Sequence, residues 1–511
     1  MSNRYLCVHG HFYQPPRHDP FRGERVSVRE PGAEPYHDFN EKITAECYRP
    51  NAACGNFGRV SFDLGPTLAS WLATHAPDTL GLIGAAERDH VAAHGVSNAL
   101  AQPYGHAILP LATPREKRLQ VAWGVADYVH RFGHAPDGMW LPETAVDLPT
   151  LRTLSDHGVA YTILAPWQAA GPIDPTEPYW IDLGDGRRLA AFFYHSDLSG
   201  GVSFDAHLTT DADRFGAQWL PRHLSREKQA RGEPQLLLVA TDGELYGHHQ
   251  PWRDRFLAHL LSEGAPANGF AVTSLAAYLR QHPPRRTTAI RPDSAWSCQH
   301  QLGRWSSGCA CTEGDSAWKR HLRCALARLA ARLDLLYELK AGALVRDPWA
   351  ALLDYVQVRI GAWSPSRFLD RHCRGEAPRD RAALAALLEG QYYRQLMLTS
   401  CGFFFEDLDR IEPRNNIAFA ARAIACLPRE DRRALTDDFL DDLKTTQSWR
   451  TGRTGADILR SVLEAARDAP AAGDGIRTET REGDEYPWTL QLERRSTSPG
   501  GSPIGSSGSR G

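Results

Sequence analysis

Long hydrophobic runs are missing from this sequence. None approaches the roughly 18 residues that a bilayer-spanning helix needs, although 42% of its 511 residues are hydrophobic. The opening, MSNRYLCVHG, holds too short an apolar stretch and no small-residue cleavage site, so no secretory signal is read there and a cytoplasmic location is expected. Charge of one sign is not in excess either: a formal net charge of -3 gives no strong field toward nucleic acid or a membrane surface. Ten cysteines without regular spacing suit free thiols in a reducing compartment better than a disulfide scaffold. Neither GxGxxG, nor a P-loop, nor GxSxG occurs, so nucleotide-binding and serine-hydrolase readings have no motif to rest on. What is left is a soluble globular chain, long enough for a large core and two domains. Its 14 tryptophans and 16 tyrosines serve as core residues or as platforms for flat ligand faces such as sugar rings.

What is present is organised around Leu236 to Trp252, LLLVATDGELYGHHQPW. Leu236 to Ala240 reads as a buried parallel strand. It delivers Thr241, Asp242, Gly243 and Glu244 at its carboxyl end, where sheets and barrels alike bind ligands. Tyr5 to Val8 predicts a first strand running into His9, His11 and Gln14. The next sixty residues, rich in Pro, Gly and Asn, read as a long functional loop. Helices are expected over Pro66 to His75, Glu116 to Phe132, Leu148 to His157, Phe204 to Leu220 and Arg222 to Arg231. Strands are expected over Tyr161 to Ala165, Leu189 to His195 and Phe270 to Thr273. That alternation predicts an α/β class with parallel strands, most simply a barrel or partial barrel. From Trp318 the pattern turns helical, with Leu322, Leu326, Leu329, Leu333 and Leu336 on one face. Pro348 to Arg359, Asp380 to Leu398 and Asn415 to Leu427 continue it. Residues 1–285 are expected to form the barrel, 286–470 a helical domain whose Cys/Trp-rich loop completes the cleft, and 471–511 a disordered tail.

Several constellations carry chemistry. Trp140-Leu141-Pro142-Glu143 sets a carboxylate after an apolar approach, a pattern that also begins helices. Beside Asp242, Glu143 supplies the second of the two carboxyl groups that glycoside hydrolysis needs, about 5–5.5 Å apart in the retaining geometry. Burial and mutual repulsion are expected to keep a proton on the acid. His9-x-His11 projects two rings from one strand face, fit to chelate a metal or to hydrogen-bond sugar hydroxyls. Cys298, His300, Cys309 and Cys311 would complete a set of four metal ligands. Their C-x-H and C-x-C spacings fit common structural zinc sites poorly, which favours buried thiols in a tight loop. Trp296, Arg304 and Trp305 suit a loop reaching over a ligand.

In chain order, His9-x-His11 with Gln14-Pro15, His106-x3-Pro110-Leu111, Trp140-Leu141-Pro142-Glu143 and Asp242-Gly243-Glu244-x2-Gly247-His248 resemble glycoside hydrolase family 57, over about residues 5–425. The Cys/Trp loop and the stretch from Thr399 to Asp407 resemble a branch carrying a DUF3536-type region. The resemblance implies an incomplete (β/α)7 barrel followed by a mostly α-helical domain. It implies a retaining glycoside hydrolase or transglycosylase of α-linked glucans, with Glu143 as nucleophile, Asp242 as acid/base, and neither cofactor nor metal. His9, His11, Gln14, His106, Trp140 and Glu244 would shape sugar subsites, with His248, Trp296, His300, Arg304, Trp305 and Phe403 as further candidates. Phe403 stands where the family would place a ligand-stacking tryptophan, and the chain beyond about Leu440 resembles nothing further. The expected partner is an oligo- or polysaccharide, with no nucleic acid and no membrane. Two other readings stay open: a metal-dependent hydrolase or deacetylase using the histidines, and a non-catalytic glucan-binding protein on the same fold.

Overall fold

The computed structural model describes residues 3–23, 26–375 and 377–468. The expected tail, 471–511, lies outside the described residues. The barrel is built outward from β1 (Arg4–Phe12), whose residues from Leu6 onward are all buried, as a strand covered on both faces requires. It pairs in parallel with β2 (Ser61–Leu64) on one side and with β7 (Gln235–Asp242) along its length on the other. The register sets His11 opposite Asp63 on β2 and opposite Asp242 on β7.

β2 continues through β3 (Ala99–Leu100) to a two-residue extended segment, Gly138 and Met139, bonded to Ala101 and Tyr161. β4 (Tyr161–Leu164) and β6 (Arg187–Phe193) follow in parallel. The ring closes where the His195 amide donates to the Leu238 carbonyl at 2.8 Å. Seven parallel segments among the described residues thus form an incomplete (β/α)7 barrel. β5 (Tyr179–Gly184) runs antiparallel on β6 and carries β9 (Thr287–Thr288), while β8 (Ala271–Val272) edges the start of β1.

Two expectations are corrected here. The sixty residues after β1 are not one loop: they hold β2 and the helical turns from Phe39 to Ala53. β2 has no legible alternation, since all of Ser61-Phe62-Asp63-Leu64 is buried, polar residues included. The helix expected over Phe204 to Leu220 is split. One helix spans Ser196–Phe204, and helical turns resume at Ala212 and run to Trp219.

The helix Pro114–Phe132 joins the barrel to the helical half. A capping box starts it: Thr113 Oγ1 accepts from the Glu116 amide and the Glu116 carboxylate accepts from the Thr113 amide. Its Trp123 Nε1 donates to the Leu353 carbonyl at 3.1 Å, and Glu116 pairs with the buried guanidinium of Arg394 at 2.5 Å. Arg394 also bonds Asp334 at 2.8 Å, and breaking such a buried pair costs about 3–5 kcal/mol. Beyond it, helices Trp318–Leu344, Pro348–Arg359, Pro378–Leu396, Ile411–Ala425 and Arg429–Leu443 pack around a second core. Leu322, Leu326, Leu329 and Leu333 are buried in it and Leu336 partly so, whereas Leu335 and Leu339 are 68% and 69% exposed. Among the described residues, no helix is long and apolar enough to cross a membrane.

Candidate active site

Strand alternation sends His9 and His11 to the same face of β1. Asp63, 0% exposed, receives both: His9 Nε2 donates to Oδ1 at 3.0 Å and His11 Nδ1 to Oδ2 at 2.9 Å. Gln102 Nε2 donates to the same Oδ2. The other nitrogen of His9 meets Ser61 Oγ at 3.2 Å, so both of its ring nitrogens are engaged. Trp140 lies beneath, stacked on His9 and His11 at 4.9 and 5.0 Å.

Burial opposes a charge on His11, but Asp63 beside it and the more distant Asp242 and Glu244 outweigh that and lift its pKa to about 9. It is an imidazolium at neutral pH. His106 faces it with Nε2 at 3.3 Å from His11 Nε2. Burial, then the charge on His11, hold His106 well below the ordinary histidine range, so it stays neutral and accepts from its neighbour. Its Nδ1 then donates to Ser400 Oγ at 2.7 Å, and the Tyr13 ring stacks on it at 3.7 Å.

Glu143 follows the Gly138 and Met139 segment at the carboxyl end of the barrel. Both Glu143 and Thr144 adopt left-handed backbone, with φ of 57° and 51°, a costly conformation for residues with a Cβ. Gln168 holds the turn, accepting from Thr144 Oγ1 at 2.8 Å and donating to the Thr144 carbonyl at 2.9 Å. The carboxylate oxygen Oε2 of Glu143 accepts two bonds, from Trp296 Nε1 at 3.0 Å and Ser297 Oγ at 2.7 Å. Among the described residues, Oε1 takes none. Burial raises the pKa of Glu143; the two donors work against this, the charge on Asp242 adds to it, and the His11 imidazolium opposes it.

Asp242 ends β7 and is exposed, while Gly243 and Glu244 behind it are buried. The expectation that Asp242 is buried is therefore corrected: burial acts on Glu143 and Glu244 instead. Glu244 Oε1 accepts from the Tyr48 hydroxyl at 2.6 Å and the Tyr13 amide at 3.2 Å. Burial lifts Glu244 to about 7, with Tyr48 restraining the rise and the Asp242 charge adding to it. Gly243 is required between the two acids, because a Cβ there would fall 2.5 Å from the Phe12 ring.

The helical half completes the site through Thr399, Ser400 and Cys401. Thr399 Oγ1 meets the Tyr13 hydroxyl at 2.9 Å, and the Ser400 amide donates to the His106 carbonyl at 3.0 Å. Cys401 borders Tyr13 and Glu143; burial, then the nearby carboxylate, push its thiol up to about 12.

Residues 24–291, more than half of the chain, match glycosyl hydrolase family 57. The chain belongs to glycosyl hydrolase family 57. Residues 315–470 of this family 57 protein match a domain of unknown function, DUF3536. Among solved structures it is similar to an exo-type maltose-forming amylase from Pyrococcus sp. ST04, with a TM-score of 0.71 and 16% identity over 91% of this chain and 88% of that one. A family 57 branching enzyme from Pyrococcus horikoshii gives a TM-score of 0.57 at 14% identity, over 91% of this chain and 95% of that one. A 4-alpha-glucanotransferase from Thermococcus litoralis gives 0.53 at 14% identity, over 84% and 61%. At such identities the likeness is one of fold. A search of curated proteins returns no match.

Within this family 57 barrel, the other expected site residues fall into two groups. Trp296 is at the site, but as a donor to Glu143, and its ring meets His11 and Trp140 edge-on at 6.3 and 5.0 Å. Gln14 is adjacent, its Oε1 accepting from Arg17 Nη2 at 2.7 Å. The rest are engaged elsewhere. Trp305 and Phe403 are 0% exposed in the helical core, with the Arg323 guanidinium 4.9 Å from the Phe403 ring, so their assignment as sugar platforms is corrected. Arg304 lies 4.5 Å over Phe404 and donates to the Phe404 and Cys311 carbonyls at 3.4 and 3.3 Å. His300 meets Cys311 Sγ at 3.1 Å, and His248 pairs with Glu46 at 2.5 Å. Asp63, Gln102, Ser297, Tyr13, Tyr48, Ser400 and Cys401 were not picked out by sequence. Ser297 had a signal in its place beside Trp296, Tyr13 in its place between His11 and Gln14, and Ser400 and Cys401 in the stretch from Thr399 to Asp407; Asp63, Gln102 and Tyr48 act through partners far away in the chain.

Proposed function

We propose that this protein is a retaining glycoside hydrolase or transglycosylase of α-linked glucans, with Glu143 as nucleophile and Asp242 as acid/base. The observation that carries this reading is the state of Glu143: two donors on one oxygen favour the anion, and the other oxygen is bare. A carboxylate so held is oriented for attack, with its charge supported by Ser297, Trp296 and the His11 imidazolium. Asp242, opposite His11 on the neighbouring strand, is exposed where a sugar would cover it.

In the first step Asp242 passes its proton to the departing glycosidic oxygen while Glu143 forms an ester with the anomeric carbon. In the second, the Asp242 carboxylate takes a proton from water or a sugar hydroxyl, whose oxygen displaces Glu143. The second carboxyl oxygen of Glu244 is left to bond a sugar hydroxyl, while the rings of His11 and His106, whose nitrogens are taken by Asp63, Ser400 and each other, shape the subsite and are held by Trp140 from below. Maltose-forming, branching and glucanotransferase activities named for proteins of the same fold support an α-glucan as substrate. The free cysteines favour a cytoplasmic setting. The metal-dependent alternative is less well supported, because both ring nitrogens of His9 are engaged and chelation by His9-x-His11 would have to break its bond to Ser61 or to Asp63.

Glu143→Gln and Asp242→Asn, assayed on maltooligosaccharides and glycogen with linkage analysis of the products, test the assignment. Glu143→Gln is expected to abolish turnover, and Asp242→Asn to lower it by about 10²–10⁴-fold. Full activity in either folded variant would remove that carboxylate from the mechanism.

A further inference from the structure

The four metal-capable side chains that sequence spacing disfavours as a site come together in the fold. The thiols of Cys298, Cys309 and Cys311 and a ring nitrogen of His300 all lie within 4.8 Å of one another. Cys298 Sγ is 3.7 Å from Cys309 Sγ and 3.9 Å from Cys311 Sγ, and His300 Nδ1 is 3.1 Å from Cys311 Sγ. A tetrahedral ion with metal–sulfur bonds of about 2.3 Å sets its sulfur ligands about 3.8 Å apart, whereas a disulfide needs about 2.05 Å.

The expectation of buried thiols does not account for this arrangement. Cys298 is buried, but Cys309 is partly exposed and Cys311 and His300 are exposed, so core packing does not explain their convergence. Left-handed turns at Gln301 and Gly308, with φ of 56° and 88°, fold the loop back on itself. Between Cys298 and Cys311 the regular structure is one helical turn, Gly303–Ser306. A loop with so little secondary structure gains much from a cross-link.

We propose that Cys298, His300, Cys309 and Cys311 bind a single zinc ion in a structural, fully ligated tetrahedral site. Three thiolates and one imidazole are the soft, four-coordinate donor set that selects zinc and leaves no open position for catalysis. The site has a second consequence, which rests on the role proposed for Glu143. Trp296 and Ser297, the two donors to its Oε2, immediately precede Cys298, so an ion anchoring Cys298 also anchors the clamp on that carboxylate.

The test is metal content, which is independent of turnover. The full chain, produced in zinc-supplemented medium and purified under reducing conditions without chelator, is expected to carry about one zinc. Cys311→Ser and His300→Ala, both at exposed positions, should lose it, while Cys373→Ser, outside the cluster, and Glu143→Gln should keep it. Cobalt(II) added to metal-stripped wild-type chain should give the intense visible bands of a tetrahedral thiolate complex, and Cys311→Ser should not. The proposal is overturned if the wild type carries no zinc and gives no such bands, if both variants retain the metal, or if Cys298 and Cys309 are recovered as a disulfide. Should the variants fail to fold, the wild-type zinc count and cobalt spectrum decide. A zinc-loaded protein without glucan turnover would remove the proposed catalytic function and leave the metal site standing.

Discussion

Ser297→Ala removes the shorter of the two bonds that hold Glu143 Oε2, the 2.7 Å contact, and leaves the Trp296 bond at 3.0 Å. A hydrogen bond to a charged group contributes about 1.5–3 kcal/mol. One pKa unit corresponds to about 1.4 kcal/mol, so the loss should raise the pKa of Glu143 by about one to two units. Glu143 already titrates above the ordinary glutamate range because of burial. The nucleophile must be ionised, so activity rises with pH through its titration, and weakening the anion moves that rise upward. Measured as kcat/KM on a maltooligosaccharide from acid to neutral pH, the acidic limb of Ser297→Ala should lie about one to two pH units above that of the wild type. Below the limb the variant should be about 10–100-fold slower, with the difference shrinking as pH rises. Ser297→Thr, which keeps a hydroxyl, should restore the wild-type limb. A uniform loss at every pH, with the limb unmoved, would refute the argument and reduce Ser297 to a packing role.

Three further predictions concern stability. Glu244 keeps its proton in the folded state to about 7, against an ordinary value of 4.5 when unfolded, so the folded protein loses stability as pH rises across that window. Glu244→Gln should therefore melt above the wild type at pH 8, by an amount on the order of 3 kcal/mol; a difference that does not grow with pH would contradict this. The His11–Asp63 pair has the same sense in a more alkaline window: the stabilisation from His11 is complete below about 6.5 and is lost as pH climbs through about 9. Asp63→Asn should flatten that alkaline loss in a Tm-against-pH series and destabilise the protein by about 3–5 kcal/mol at neutral pH. Trp305→Ala, in the helical core, should cost about 3–5 kcal/mol in denaturant unfolding and leave KM for maltooligosaccharides unchanged, whereas a raised KM would return Trp305 to the binding surface.

Glu143 and Asp242 are legible because each follows an apolar run that ends at the mouth of the barrel. The leucine stripe from Leu322 to Leu336 is legible for a related reason, since a helix that buries one face must repeat its apolar residues every three or four positions. β2 is not, because Ser61 and Asp63 are buried polar residues whose partners, His9 and His11, lie more than fifty positions earlier. Phe403 shows the converse error. An aromatic in a Gly-flanked loop looks like a ligand platform until the fold turns it under Arg323, and the neighbours that reach the site are Thr399, Ser400 and Cys401.

By itself, the order of residues determined the α/β-then-helical plan, the ends of strands that carry acids and histidines, and membership of a family defined by those motifs. These are local properties: hydrophobic period, turn chemistry and the identity of residues within a few positions of one another. The tertiary structure decided which groups share a partner and which proton each holds. Those depend on desolvation and on charges brought close from distant segments. Asp63 under two histidines, Ser297 on Glu143 and four zinc-type ligands converging from an irregular loop all exist only once the chain has closed.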